Sequence, residues 1–323
     1  MKSWVCLLVC VLMSFCVQAG GDATAPPAGA PAPEFAGIAQ WLNSPPLSMA
    51  SLRGKVVLID FWAYSCINCI RALPHVEHLY QAYKDKGLVV VGVHTPEFDF
   101  EADPANVQAA IQRLGITYPV AMDSHAGTWN AWHNQFWPAE YLVDRGGRLV
   151  GHHYGEGAYD LMENAVRALL DLGPLPAGGV ATGNAPAAGD TPELHLGRAT
   201  QSGLDAAEAS DGGNGMHRFH ASGGPAANHY ALEGRWEITD EYARLAGSEG
   251  DIRLRFKAAK VYVVASAVQP VTLQLTVDGK AQPAVTVQGS RLYTLYDSAA
   301  DGEHVLLVHV PQKGVQVYSF TFG

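Results

Sequence analysis

The sequence predicts an α/β domain with its sheet covered on both faces, followed by an all-β sandwich of jelly-roll type. Three observations lead there. Between residues 35 and 172, apolar strand runs alternate with segments of helical apolar spacing. From 191 to 323 the helical periodicity disappears and short β-rich runs recur between turn signals. Gly-, Ala- and Pro-rich stretches at 20–34 and 173–190 read as a flexible tether and an inter-domain linker.

At 323 residues the chain is long for one compact domain and comfortable for two. Its 48% hydrophobic and 16% charged content suits globular cores. The net charge of −10 argues against nucleic acid or anionic membrane surfaces as partners. Residues 1–19 read as a cleaved signal peptide: Met1-Lys2, an apolar run from Trp4 to Val17 broken only by Ser14, then Val17-Gln18-Ala19. The implied location is periplasmic or otherwise extracytoplasmic. The alternatives are a retained anchor and lipidation at Cys16. The run is shorter than the ~20 apolar residues of a typical span, and Phe15 argues against the lipid.

The elements follow in order. Lys55 to Trp62 is a buried strand, Cys66 to Lys86 a helix containing Pro74, and Leu88 to His94 a second buried strand. Asp103-Pro104 reads as an N-cap and first-turn proline opening a helix to Leu114. Ile116 to Met122 is a short strand and Thr128 to Phe136 a helix. Glu140 to Tyr154 is a hairpin turning at Asp144-Arg145-Gly146-Gly147. Tyr159 to Leu172 is a last helix, with Gly173 placed to end it. Seven strands are expected beyond the linker: Asp251 to Lys257, Val261 to Ala265, Val271 to Val277, Ala284 to Val287, Leu292 to Tyr296, His304 to Val310 and Val315 to Phe322. Asp278-Gly279 is a hairpin turn between two of them.

Cysteine usage carries the chemistry. Of five cysteines, Cys6, Cys10 and Cys16 lie in the leader, which leaves Cys66 and Cys69 spaced C-x-x-C. A disulfide closing so small a loop restrains little chain entropy, so a purely structural role is a weak explanation. Cys66 stands between a strand and a helix, where free amide N–H groups favour a thiolate. Cys69 is one helical turn on, on the same face. It can attack a mixed disulfide formed at Cys66 and leave the protein as the Cys66–Cys69 disulfide. No other cofactor and no metal are expected. Structural zinc needs a second ligand pair, and no further cysteine remains. His75, His78, His94, His133, His152 and His153 keep a two-cysteine, two-histidine or copper site open as an alternative.

The segment VVLIDFWAYSCINCIRALP resembles the thioredoxin superfamily. By that resemblance the first domain is thioredoxin-like, and Asp60 is the buried carboxylate that handles the proton of Cys69. Burial would raise its pKa towards neutrality. Trp62 is a supporting residue with a competing reading as plain core. Pro74 is the kink of the active-site helix. The superfamily also carries a cis-proline before a hairpin. Tyr118-Pro119 and Trp137-Pro138 are the candidates, and only the second precedes a hairpin, so Pro138 is chosen, supported by Trp137. A cis bond there frees backbone groups to pair with an extended client. The strand–helix insertion between Leu88 and Met122 resembles the TlpA/ResA-like branch.

The runs WAYSCINC, GVHTPEF, FWPAEYLVDRGGRLV, TPELHLG and NHYALEGRW are similar to the DipZ family, linked to cytochrome c biogenesis. That resemblance implies a carbohydrate-binding-module-like second domain and client proteins bearing disulfides or thiols. Members often begin with a membrane electron-transfer domain, and here a leader precedes the tether, so a separate membrane electron donor is implied. Tyr230, Trp236, Tyr242, Tyr262, Tyr293 and Tyr296 either fill the sandwich or form a platform for a glycan or protein ligand. The expected activity is thiol–disulfide exchange, in the reducing direction by family analogy. The competing readings are a glycan- or protein-binding protein with a non-catalytic disulfide, and a thiol peroxidase.

Overall fold

Val56–Trp62 is buried at all seven positions, as a strand must be when both sheet faces are covered. It is the second strand of the α/β domain in a computed structural model that describes residues 25–176, 189–205, 214–220 and 223–323. The expected leader and most of the expected linker lie outside the described residues. The elements are β1 (Gln40–Leu42), β2 (Val56–Trp62), α1 (Ile67–Tyr83), β3 (Leu88–His94), α2 (Pro104–Leu114), β4 (Val120–Met122), α3 (Gly127–Ala131), β5 (Ala139–Val143), β6 (Leu149–Tyr154) and α4 (Tyr159–Leu169). The sheet runs β1-β4-β3-β2-β5-β6, with β2, β3 and β4 parallel and the other pairings antiparallel. Alternation along β2 feeds two cores. Leu58 and Trp62 join one with Leu79, Val90 and Cys69, while Ile59 and Phe61 join the other with Trp132 and Tyr141.

Local chemistry accounts for most boundaries. Asp103 caps α2 by accepting from the Ala105 N–H at 2.8 Å, and Gly115 closes it with φ of 70°. That closure uses the Ile116 N–H on the Ile111 carbonyl, so the expected Ile116–Met122 strand shortens to Val120–Met122. The expected Thr128–Phe136 helix is one turn at Gly127–Ala131, because His133 turns left-handed at φ 52°. Helix α4 ends at Leu169 rather than at Gly173. Asp171 takes the left-handed position at φ 59°, and the Leu172 N–H reaches back to Arg167. The expected 20–34 tether is also corrected in part. Gly29 N–H donates to the Leu149 carbonyl at 2.7 Å, and Ala32 N–H donates to Gly147 at 3.0 Å. Strand β6 is a sheet edge with backbone groups to satisfy, and Pro31 is tolerated there.

The second domain contains β7 (Leu194–His195), β8 (Gly215–Phe219), β9 (His229–Ile238), β10 (Ala243–Lys257), β11 (Lys260–Ser266), β12 (Val271–Val277), β13 (Lys280–Val287), β14 (Arg291–Asp297), β15 (Glu303–Val310) and β16 (Gln316–Phe322). All pair antiparallel, seven of them along β13-β12-β15-β10-β16-β11-β14 with β7 on β16 and β8-β9 on β10, in a sheet nearly closed into a barrel-like sandwich. Strand β10 pairs with β16 at one end and β15 at the other, across an irregularity between Leu245 and Gly250. Asp278 and Gly279 both have positive φ, as a two-residue hairpin turn requires. Tyr230, Trp236 and Tyr293 are buried in this core, and Tyr296 packs on Phe256, so these aromatics fill the sandwich. Tyr242 faces the first domain, and Tyr262 is half-buried.

The two domains meet through an aromatic contact. Phe98 and Phe100 lie 5.0 and 4.8 Å from the Tyr318 ring, and Tyr242, Val264 and Leu292 complete the patch. The Asp99 N–H donates to Glu241 at 2.9 Å, and the Tyr64 hydroxyl donates to the Ser290 carbonyl at 3.3 Å. Among the described residues no helix is long and apolar enough to cross a membrane.

Candidate active site

Cys66 is the N-cap of α1. Its backbone is extended, and its Sγ accepts the Cys69 N–H at 3.3 Å. The helix start thus presents a free amide to the sulfur that precedes it. Cys66 is half-buried and Cys69 is buried, and both are free thiols here. The loop leading into Cys66 is held by Glu101, which is fully buried and lies in a turn at Asp99–Ala102. Its carboxylate accepts from the Ser65 N–H at 3.0 Å, the Ser65 hydroxyl at 2.8 Å and the Glu97 N–H at 2.8 Å.

Behind the pair lie two buried acids, Asp60 and Glu140. Asp60 on β2 is 1% exposed, and burial pushes its pKa up to about 7 against a weaker pull from the Tyr118 hydroxyl. Glu140 is its register partner on β5. Burial, and then the Asp60 charge, push Glu140 up to about 8. Burial also holds the Cys69 thiol well above its usual range, helped by Cys66 and by the Asp60 charge. Cys69 therefore keeps its proton until a base removes it, and Asp60 is the neighbouring group that titrates near neutral pH.

The Trp137–Pro138 bond is cis, and Tyr118–Pro119 is not. Trp137 Nε1 donates to the Thr95 carbonyl at 3.1 Å, and its ring lies 4.2 Å from Trp129. Trp137 and Cys66 border the same core cluster. Pro74 lies inside α1. Trp62 is fully buried and packs edge-on against His94, so it acts as core beneath the site. His94 is also buried, stacks on Tyr64 and is pushed down to about 3 by desolvation. Burial likewise pushes His75 down to about 4. No grouping of three or more metal-ligating side chains among the described residues includes either cysteine.

The sequence singles out Asp60, Cys66, Cys69 and Pro138; it does not single out Glu101 or Glu140, and it offers His94 only among six histidines for an alternative metal site. For Glu140 a signal existed. It stands two residues after Pro138 at the start of the expected Glu140–Tyr154 hairpin, whose first strand pairs with β2 and sets the acid opposite Asp60.

A strand–turn–helix dithiol over a buried acid, with a cis Trp137–Pro138 bond, is the arrangement of a thioredoxin-fold protein. A family described as Redoxin matches residues 27–170, and one described as Thioredoxin like C-terminal domain matches 191–323. Protein DipZ of Mycobacterium bovis is 41% identical over 308 residues, covering 90% of this chain and 43% of the relative. Thiol-disulfide oxidoreductase YkuV of Bacillus subtilis is 32% identical over 140 residues, covering 43% of this chain and 94% of the relative. A solved structure of a thioredoxin-like protein in the oxidised form is 33% identical with a TM-score of 0.41, covering 44% of this chain and 95% of that one. This chain belongs to the DipZ-like family of thioredoxin-fold proteins. It spans less than half the length of the DipZ proteins it matches.

Proposed function

We propose that the chain reduces disulfides in client proteins outside the cytoplasm, cycling through a Cys66–Cys69 disulfide. The carrying observation is a half-buried Cys66 at a helix start, backed by a protonated Cys69 over Asp60. The Cys66 sulfur attacks one sulfur of the client disulfide. A Cys66–client bond forms, and the other client sulfur leaves as a thiolate and takes up a proton. Asp60 then accepts the Cys69 proton. The Cys69 sulfur attacks Cys66, and the second client thiol departs. Two electrons have passed to the client, and the chain holds the Cys66–Cys69 disulfide. The backbone around the cis Pro138 binds the client segment in extended form.

The extracytoplasmic setting is supported by the apolar Trp4–Val17 run and by a cysteine count that leaves a lone C-x-x-C pair beyond it. The family resemblance supports cytochrome c biogenesis as the client pathway and a membrane protein as electron donor. Insulin reduction with a dithiol reductant as electron source tests the core of the reading. Wild type is expected to precipitate insulin B chain, and Cys66→Ser to be inactive. An active Cys66→Ser would contradict the proposal.

A further inference from the structure

A second acidic cluster stands on the outer side of Cys66, and it is built by both domains. Glu97 follows β3, is partly buried, and interacts electrostatically with Cys66. Across the interface, Glu193 and His195 flank Leu194 at β7. Leu194 is buried in the sandwich core, and β7 is pinned by pairing Leu194 with Phe320 and His195 with Ser319. Strand side chains alternate, so with Leu194 pointing in, both neighbours point out towards the first domain. Polar atoms of Glu97, Glu193 and His195 all lie within 4.8 Å of one another. His195 Nε2 is 3.8 Å from Glu193, and the two side chains are 20% and 40% exposed. The Phe98 ring, from the domain contact itself, is 6.4 Å from the His195 ring.

Two carboxylates this close resist being ionised together. The groups facing Glu97 are Glu101 from the turn that follows it, Cys66 at the N-cap of α1, and Glu193 and His195 on either side of Leu194. Burial first, then the charges of Glu193, Cys66 and Glu101, hold Glu97 well above the usual carboxylate range. Burial raises Glu193 too, against the opposing pulls of His195 and Ser319.

The geometry points to Glu193 and His195 as positioning residues that the second domain contributes to the redox site, setting the charge Glu97 carries beside Cys66. His195 favours charge on Glu193, and charge on Glu193 keeps the proton on Glu97. A neutral Glu97 leaves the Cys66 sulfur unopposed as a nucleophile. Docking of the second domain thereby tunes the first cysteine. This deepens the proposed exchange reaction and rests on it.

The test is the alkylation rate of reduced Cys66 by iodoacetamide in the full chain with EDTA, located by mass spectrometry between pH 6 and pH 9. Glu97→Gln fixes position 97 in the neutral state it holds in the wild type and is expected to react at close to the wild-type rate at pH 7. Glu193→Gln and His195→Ala release Glu97 to ionise and are expected to react roughly twofold to threefold slower at pH 7. The Glu97→Gln/Glu193→Gln double variant should match Glu97→Gln, because Glu193 acts through Glu97. Glu193→Asp keeps the charge and should stay at the wild-type rate. Wild-type or faster rates in Glu193→Gln and His195→Ala, a slowed Glu97→Gln, or a slowed Glu193→Asp would each overturn the assignment. Insulin reduction on the same samples separates the two levels. If Cys66→Ser abolishes it while Glu193→Gln alkylates like wild type, the exchange reading stands and this inference fails.

Discussion

The two sides of the Cys66–Cys69 pair are built differently. The inner side belongs wholly to the first domain. Asp60 and Glu140 face each other across two adjacent strands, both sealed from solvent and both with raised pKa values. The outer side is a joint product. Glu97 comes from the segment after β3, while Glu193 and His195 flank Leu194 at the short strand β7 of the second domain, and the patch stays partly open to solvent. The inner acids belong to the buried cysteine, whose proton must be moved without water. The outer acids belong to the half-buried cysteine, which meets the client. One sulfur is thus governed by a fixed core, and the other by how firmly two domains stay docked.

The largest effect expected on this contrast is at the sulfurs themselves. Cys69→Ser should accumulate clients as mixed disulfides on Cys66, while Cys66→Ser should trap few or none, read on non-reducing gels. Equal trapping by both would break the division between inner and outer cysteine. Next is the inner acid. Asp60→Asn should slow the resolving step on the order of 100-fold, the scale of a lost general base. In wild type that step should speed up as pH rises through about 7, where Asp60 loses its proton.

Stability carries the opposite sign. The folded Asp60 pKa lies above its unfolded value, so between about pH 4 and 7 the folded state binds the extra proton and stability falls as pH rises. The raised value corresponds to about 4 kcal/mol lost by pH 8. Asp60→Asn should recover up to that amount in denaturant titrations at pH 8 and gain nothing at pH 3. An Asn variant no more stable than wild type at pH 8 would show that burial does not govern this group.

The domain contact gives a smaller effect. Phe98 is 5% exposed against Tyr318, and Phe98→Ala should cost about 3 kcal/mol, as buried Phe truncations do. It should also speed limited proteolysis between the domains. A variant equally stable and equally resistant would mean the aromatic patch does not hold them together. The smallest effect is a local control. Asp103→Ala removes the α2 cap and should cost about 1 kcal/mol in thermal unfolding without changing insulin reduction.

What was legible in the sequence follows the same inner–outer divide. Strand β3, helix α2 and strand β12 begin and end where expected, because Leu88–His94 is continuously apolar and because Asp103-Pro104 and Asp278-Gly279 are local punctuation. Asp60, Cys66 and Cys69 share one strand–turn–helix, so short-range spacing places them together. Strands β8 and β9 and the first half of β10 were not legible, since glycines at 234, 247 and 250 interrupt their alternation. Glu97 meets Glu193 and His195 only because Phe98, Phe100 and Tyr318 dock two domains. No spacing rule encodes a contact across that distance in the chain. The same docking lies beside the redox pair, so a first domain released by cleavage would keep its inner acids and Glu97 and lose Glu193 and His195.

The most direct measurement is the redox potential of the Cys66–Cys69 pair, titrated against glutathione and read by thiol labelling of the full chain. A dithiol whose resolving sulfur holds its proton over a raised Asp60 is expected to behave as a reductant, with a value near about −270 mV. A value near about −120 mV would mark a strong oxidant and contradict it.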